Sequence, residues 1–203
     1  MDDDMPTRAR LLRIAGLALS LALTAGCAED ARPPVRNHAP KQAYLITLTV
    51  ENPPAPVTAI EGHASYQVMN DGDCLPRRPF FGGPAGIRSI TEPVRFLAVG
   101  PNVWQGTIYA DLYLDQSQTD ALGACDWTLI AAGADFRMRN ATFASTLSAQ
   151  EIHSEQERIE YFNRHWLEVP PPKGARISRM VNVPDDRSAT FPVTITTRKM
   201  RHD

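Results

Sequence analysis

The chain has 203 residues and a formal net charge of −2, from 21 basic and 23 acidic side chains. There is no basic surplus to suggest a nucleic-acid-binding protein and no block of like charges to suggest a disordered tail. The length suits one domain with a sizeable core, and no apolar run after the first 26 residues could cross a membrane.

Residues 1–26 form a predicted targeting segment, separate from the folded domain. Three arginines in 8–13 give it a basic start, and 11–25 is a mostly Leu and Ala run that is too short to span a bilayer. Three aspartates directly before Met5 offset the arginines. The chain therefore starts at Met1 or, with a more basic start, at Met5.

The apolar run ends in the sequence LTAGC at positions 23–27, which is small residues followed by a cysteine. This resembles the lipobox of bacterial lipoproteins, although Thr24 stands where the commonest pattern has Leu. The resemblance implies cleavage before Cys27, and lipidation of Cys27 by acyl chains such as palmitate. The alternative is an ordinary secretory signal that is cut after Ala25 or Ala28.

The residue after the cysteine is Ala28 and not Asp, which in the resembled class implies transfer to the outer membrane. The expected location is the periplasmic face of the outer membrane, with membrane contact through the lipid anchor only. Residues 27–41 are predicted as a flexible to semi-rigid tether, because 28–40 are polar and contain prolines; this polar stretch covers about 35–40 Å when extended. A single folded domain is predicted over 42–199.

Cys74 and Cys125 are the two cysteines that follow Cys27. In an oxidising compartment an even number predicts one disulfide. The bond would close a loop of about 50 residues and contribute roughly 4 kcal/mol on the chain-entropy model. The alternative is a pair of buried thiols.

Most of the domain has a β-strand pattern. Residues 43–50 are apolar and β-branched, and 57–70 alternate between apolar and polar side chains. The segments 94–99 and 104–114 alternate on either side of Gly100-Pro101-Asn102, which predicts a β-hairpin. Further strands are predicted over 125–131, 136–147 and 191–197. Short strands separated by Pro and Gly turns predict an all-β fold, a β-sandwich of immunoglobulin-like style with one disulfide.

The segment 149–166 allows two predictions. Ser148 and Glu151 have the spacing of a helix capping box, and the apolar residues of the segment fit a helical period. A helix over 149–166 is one prediction. A strand over 158–167, after a hairpin turn, is the other.

Motifs for catalysis and metal binding are scarce. The sequence contains no GxSxG, SxxK, HExxH or phosphate-loop motif, and its five histidines lack ligand spacing. Residues 70–73 fit a turn better than a calcium loop. Asp111, Asp115, Asp120 and Asp126 suit a solvated loop better than paired glycosidase carboxylates. We therefore predict no enzyme, no metal and no cofactor, with a periplasmic hydrolase as an alternative.

Two groups of residues are candidates for binding a protein partner. The first lies in the loop beside Cys74 and has the residue types of binding hot spots: Arg77, Arg78, Phe80 and Phe81. The alternative is that the two phenylalanines pack over an edge of the sandwich. The second group lies on the polar side of the predicted hairpin strand and forms either a recognition face or an ordinary solvent face: Tyr109, Asp111, Tyr113 and Asp115.

The stretch GTIYADLYLD (106–115), followed by GACDW (123–127), resembles a group of proteobacterial lipoproteins, some of which occur near toxins of type IV or type VI secretion systems. The resemblance implies a periplasmic immunity protein or inhibitor that binds a secreted toxin. Residues 116–122 depart from the group's pattern, which suits a partner-specific surface. We expect occlusion of the partner by loops 74–86 and 115–124. The alternative is a structural or assembly accessory of the outer membrane.

Overall fold

The computed structural model describes ten strands and two short helices, in two sheets of five strands each. The predicted all-β sandwich is confirmed. The targeting segment, Cys27 and three of the predicted loop residues, Arg78, Phe80 and Phe81, lie outside the described residues. The described residues are 32–77, 83, 85–118, 122–169, 171–172 and 174–201.

The spatial order of the strands in each sheet differs from their order along the chain. From one edge to the other, sheet 1 consists of β4 (Phe96–Gly100), β5 (Val103–Tyr109), β1 (Ala43–Val50), β10 (Thr190–Lys199) and β8 (Arg158–Asn163). Sheet 2 consists of β3 (Ser89–Val94), β2 (Val57–Val68), β6 (Trp127–Met138), β7 (Ala141–Ser148) and β9 (Arg176–Ile177). Neighbouring strands are antiparallel, except that β9 runs parallel to β7.

A cluster of four phenylalanines joins the sheets at the centre of the core. Alternation along the strands turns Phe136 and Phe143 of sheet 2 towards Phe162 and Phe191 of sheet 1, and all four are fully buried. Neighbouring ring centroids in the cluster are 5.3–5.7 Å apart. Aromatic pairs at such distances contribute about 1 kcal/mol each beyond their buried area.

The predicted disulfide between Cys74 and Cys125 is confirmed. Cys74 closes the short helix α1 (Asp71–Cys74) just after β2, and Cys125 lies two residues before β6. Because β2 and β6 are neighbours in sheet 2, the bond joins two strands that are already paired.

The predicted hairpin is confirmed as β4 and β5, with Asn102 in its turn at a φ of 56°. The second strand is shorter than predicted and ends at Tyr109, not at 114. The reason is Asp111, whose carboxylate accepts the backbone N–H groups of Lys41 at 2.8 Å and Gln42 at 2.9 Å. These bonds turn the chain out of the strand, so the alternation predicted for 110–114 is lost.

The segment 149–166 contains a helix and a strand. Helix α2 (Ala149–His153) begins with the predicted capping box of Ser148 and Glu151 and lasts little more than one turn. Strand β8 follows, and then a 3₁₀ turn over Arg164–Leu167. The long helix over 149–166 is therefore wrong, and the strand alternative holds for 158–163.

Residues 32–42 lie along residues 111–118 before β1 begins. The backbone N–H of Arg32 donates to the Gln118 carbonyl at 2.9 Å, and that of Asn37 donates to the Leu112 carbonyl at 2.8 Å. This pairing is at the end of the sandwich where β1 begins and β2 and β5 end, which we call the near end. The turns at 51–56, 101–102 and 139–140 form the far end. Among the described residues, no helix is long and apolar enough to cross a bilayer.

Candidate functional site

The second predicted binding group makes contacts inside the domain. Asp111 holds the start of β1, and one oxygen of Asp115 accepts the backbone N–H of Trp127 at 3.1 Å. The carbonyl of Tyr109 accepts a hydrogen bond from the Tyr66 hydroxyl at 2.6 Å. Arg77, from the first group, is exposed at the near end. A partner-binding role for these residues stays a prediction.

Tyr113 is only 7% exposed and packs between Tyr66 and Trp127, with both ring-centroid distances at 5.3 Å. Its hydroxyl donates to Glu92, which also forms an ion pair with Arg36 at 2.8 Å. Burial and the bond to Glu92 raise the pKa of Tyr113 to about 12. The side chain closes the gap between β3 and residues 32–40, so it is not part of an exposed recognition face.

The outward side of sheet 1 is almost free of charge, and we call it the sheet-1 face. Its side chains alternate with the buried core residues on all five strands. They are Leu45, Thr47, Thr49, Leu97, Val99, Val103, Gln105, Thr107, Tyr109, Ile159, Tyr161, Pro192, Thr194, Thr196 and Arg198. Among these described residues, only Arg198 carries a charge. Two further charges lie at its rim: Arg187 is 4.5 Å above the Tyr161 ring, and the Glu51 carboxylate accepts a hydrogen bond from the Thr194 hydroxyl at 3.0 Å.

Large apolar side chains stand exposed at both edges of this face. Leu97 and Val99 on β4 are 54% and 55% exposed, and Ile159 on β8 is 50% exposed. Between them threonines line up across β1 and β10, with Thr47 opposite Thr196 and Thr49 opposite Thr194. Depletion of charge, more than apolar content alone, distinguishes the centre of a protein interface from other surface.

The outward side of sheet 2, the sheet-2 face, has a different character. Its strands present Glu61, His63, Asp135, Arg137 and Arg176. His63 and Thr146 lie on either side of Gly133, and because this glycine has no side chain, His63 Nε2 and Thr146 Oγ1 approach to 3.2 Å. Glu61, His63, Asp135 and Arg176 border a shallow cleft of about 480 Å³ between β2 and residues 91–96, where β3 passes into β4.

Asp135 is the buried charge of the sheet-2 face. It is 5% exposed, and its Oδ2 forms an ion pair with Arg176 Nε at 2.6 Å, whereas its Oδ1 has no hydrogen-bond partner among the described residues. Burial raises its pKa, against the opposing charges of Arg176 and His63. Burial also lowers the pKa of His63, with Asp135 acting in the opposite direction. Burial therefore favours the neutral form of the imidazole.

These side chains are largely engaged with one another. Arg176 pairs with Asp135, Arg137 Nη2 lies 3.6 Å from Glu61 Oε1, and His63 contacts Thr146. Across the described residues there is no group of three His, Cys, Asp or Glu side chains that could hold a metal ion. A partner that docked here would have to displace existing ion pairs and hydrogen bonds.

Neither face was predicted from the sequence, although the sequence contains a pattern that indicates part of the sheet-1 face. The triplets Thr47-Leu48-Thr49 and Thr194-Ile195-Thr196 each turn two threonines to the side opposite a buried aliphatic residue. That these triplets lie side by side depends on the pairing of β1 with β10, which joins residues about 150 positions apart along the chain.

Compared with known proteins, the chain matches no family model, no curated protein and no solved structure. Its function therefore has to be inferred from its own residues and their geometry.

Proposed function

We propose that this chain is a lipid-anchored, non-enzymatic protein of the bacterial envelope that binds a protein partner through the sheet-1 face. The observation that carries the binding role is a five-stranded face whose strands present one charged outward side chain, Arg198, with Glu51 and Arg187 at its rim and with Leu97, Val99 and Ile159 at least half exposed. The lipobox-like sequence before Cys27 supports the anchor. The Cys74–Cys125 disulfide supports an oxidising compartment outside the cytoplasm.

The size of the face fits a protein partner better than a small molecule. Five strands about 4.8 Å apart, of five to ten residues at about 3.3 Å each, cover roughly 20 by 25 Å. That footprint of about 500 Å² is most of the roughly 800 Å² that each protein contributes to a standard interface. The outward side chains of the five strands form an extended surface, so flat contact with a folded surface is the mode we propose.

The composition of the face also defines the partner's chemistry. Threonine and aliphatic side chains offer no opposite charge, so a charged partner surface would lose hydration without compensation. We infer a folded protein whose contact surface is itself uncharged. The resemblance over 106–115 and 123–127 favours a secreted toxin as that protein, which the chain would inhibit by occlusion.

The binding proposal is tested by capture with the full chain, purified in detergent, against candidate toxins encoded beside its gene. We expect one toxin to bind with one-to-one stoichiometry. Leu97→Arg and Ile159→Arg should each weaken that binding at least tenfold, because they place charge on exposed positions of the face. The dissociation constant is measured by calorimetry.

Thr91→Arg is the matched control, because Thr91 is an exposed outward position on β3 of sheet 2. It should leave toxin binding unchanged. If Leu97→Arg and Ile159→Arg bind as tightly as the wild type while Arg77→Glu does not, the loop beside the disulfide is the binding site and the sheet-1 face is not.

The anchor is tested separately with a fatty-acid probe. We expect the wild-type chain to incorporate the probe and Cys27→Ser to remain unlabelled. A wild-type chain that takes up no fatty acid would contradict the anchor and leave the binding face as a separate question.

A further inference from the structure

The docked N-terminal segment fixes where the chain enters the domain. Arg32 is held at the Gln118 carbonyl, Arg36 pairs with Glu92 and bridges to Tyr113, and Lys41 donates to Asp111. All of these contacts are at the near end, on the side that carries the disulfide. The described residues from 32 onwards are therefore part of the folded domain, and the predicted tether over 27–41 is wrong for residues 32–41.

Only four residues, 28–31, separate Cys27 from Arg32. Even a fully extended chain covers no more than about 18 Å over that separation. An acyl group on Cys27 would therefore hold the near end within about 18 Å of the bilayer surface. The strands of the sandwich are 8–12 residues long in β1, β2, β6 and β10, so the far end can stand about 30 Å further away.

The near end also carries a cluster of cationic side chains, where the inner strand β1 of sheet 1 begins and its neighbour β10 ends. Lys41, Arg198, Lys199 and Arg201 surround an open cleft of about 990 Å³, and Glu155 is the acidic residue among its lining. The carboxylate of Glu155 accepts the backbone N–H of Lys199 at 3.1 Å, so it is partly engaged with the backbone. The cleft has a surplus of positive charge.

We propose that in the acylated protein the near end rests on the membrane, with this cationic cluster against anionic phospholipid headgroups. The inference rests on the lipid anchor of the proposed function. Two observations select this occupant: the short chain that leads to Cys27, and the charge complementarity between four basic side chains and a phosphate surface. Each basic side chain close to an anionic bilayer raises the equilibrium constant for the docked state about fivefold.

The orientation has a consequence for partner binding. Loops 74–77 and 115–118 lie at the near end and would face the bilayer, whereas β4, with Leu97 and Val99, leads towards the far end. A partner would then approach from the periplasm along sheet 1, and Arg77 would contact headgroups in preference to a protein.

The test uses the full acylated chain, reconstituted in vesicles of phosphatidylethanolamine and phosphatidylglycerol in a 3:1 ratio. A fluorophore is attached through Met200→Cys, at the near end, or through Asn140→Cys, in the exposed far turn between β6 and β7. Lipids that carry a quencher on the headgroup should quench the first fluorophore strongly and the second hardly at all. Phosphatidylcholine vesicles should reduce the contrast.

Lys199→Gln combined with Arg201→Gln should lower the population of the docked orientation about 30-fold in the anionic vesicles, and so remove most of the quenching at position 200. Arg95→Gln combined with Arg137→Gln removes two charges elsewhere and should change nothing. If the acylated protein shows equal quenching at both positions, the docked orientation is wrong and the lipid anchor stands. If the protein carries no fatty acid, both the anchor and the docked orientation are wrong.

Discussion

The two outer faces of this sandwich are built on sheets of equal size, but they use their side chains differently. On the sheet-2 face, Asp135, Arg176, Glu61 and Arg137 are paired with one another. On the sheet-1 face, Thr47 Oγ1 accepts a hydrogen bond from Gln105 at 3.1 Å, the Thr194 hydroxyl donates to Glu51 at 3.0 Å, and the aliphatic residues remain exposed. A face with few charges, whose polar groups are already hydrogen-bonded, can be covered at little desolvation cost, which is why we place the partner on sheet 1.

The two sheets also differ in covalent cross-linking. The disulfide lies in sheet 2, at the end where β2 finishes and β6 begins. Replacing both Cys74 and Cys125 by Ala should lower the free energy of unfolding by about 4 kcal/mol, through the added entropy of the unfolded chain. For a domain of this size that corresponds to a fall of about 10 °C in the melting temperature. Circular dichroism measures the fall.

Hydrogen exchange of the same double variant sharpens the comparison between the sheets. We expect amides of β2 and β6 to lose more protection than those of β1 and β10, which are remote from the bond. Equal loss in all four strands would show that the two sheets open as one unit, and the division of roles would then not extend to stability.

The second prediction concerns the close approach of strands on the sheet-2 face. A Cβ atom at Gly133 would lie 2.0 Å from the Ser145 carbonyl oxygen and 2.7 Å from the Thr146 Cα, both backbone atoms of β7. Gly133→Ala should therefore push β6 and β7 apart and cost about 3 kcal/mol in unfolding free energy, measured by urea denaturation. The His63–Thr146 contact should be lost with it.

Gly100→Ala is the matched control in sheet 1. A Cβ atom at Gly100 would find its nearest neighbour, a side-chain atom of Val103, at 3.8 Å, an ordinary contact distance. Its unfolding free energy should stay within about 0.5 kcal/mol of the wild-type value. A Gly133→Ala protein as stable as this control would mean that sheet 2 is less tightly built than its geometry indicates.

Local patterns in the sequence predicted most of the strands, the hairpin turn at Asn102, the capping box at Ser148 and the disulfide, because each is fixed by neighbouring residues or by compartment chemistry. They did not predict that β5 ends at Tyr109. That end depends on Asp111 bonding to Lys41 and Gln42, which are about 70 residues away along the chain. Nor did they predict that Tyr113 is buried. Its neighbours Arg36 and Glu92 are also distant along the chain and contact it only in the folded protein.

The sheet-1 face was missed because it is a property of the sheet and not of any strand. Each strand alone shows two to four ordinary outward residues, and the scarcity of charge is apparent only when the register sets Thr47 opposite Gln105 and Thr196. Strand order and register are non-local, so a periodicity of two predicts which residues point outwards but not which of them share a face.

The smallest effect we predict concerns the buried charge of the sheet-2 face. Asp135→Asn should stabilise the protein at pH 7 by about 1 kcal/mol, because it removes a carboxylate that is buried with one oxygen unpaired. Its partner Arg176 is largely exposed, so the guanidinium that remains is solvated and costs little. Burial raises the pKa of Asp135 above its unfolded value of about 3.9.

A carboxyl group whose pKa is raised on folding contributes its full stability below the unfolded pKa and loses it as the pH rises through the folded pKa. The advantage of Asp135→Asn should therefore be small at pH 4 and grow towards pH 7, as measured by thermal unfolding across that range. Glu61→Gln, at an exposed carboxylate of the same face, should show no such trend. If Asp135→Asn is instead less stable at pH 7, the pair with Arg176 is worth more than the burial of its carboxylate costs. The ion pair of Asp135 with Arg176 on the sheet-2 face would then stabilise the fold, beyond neutralising the two charges.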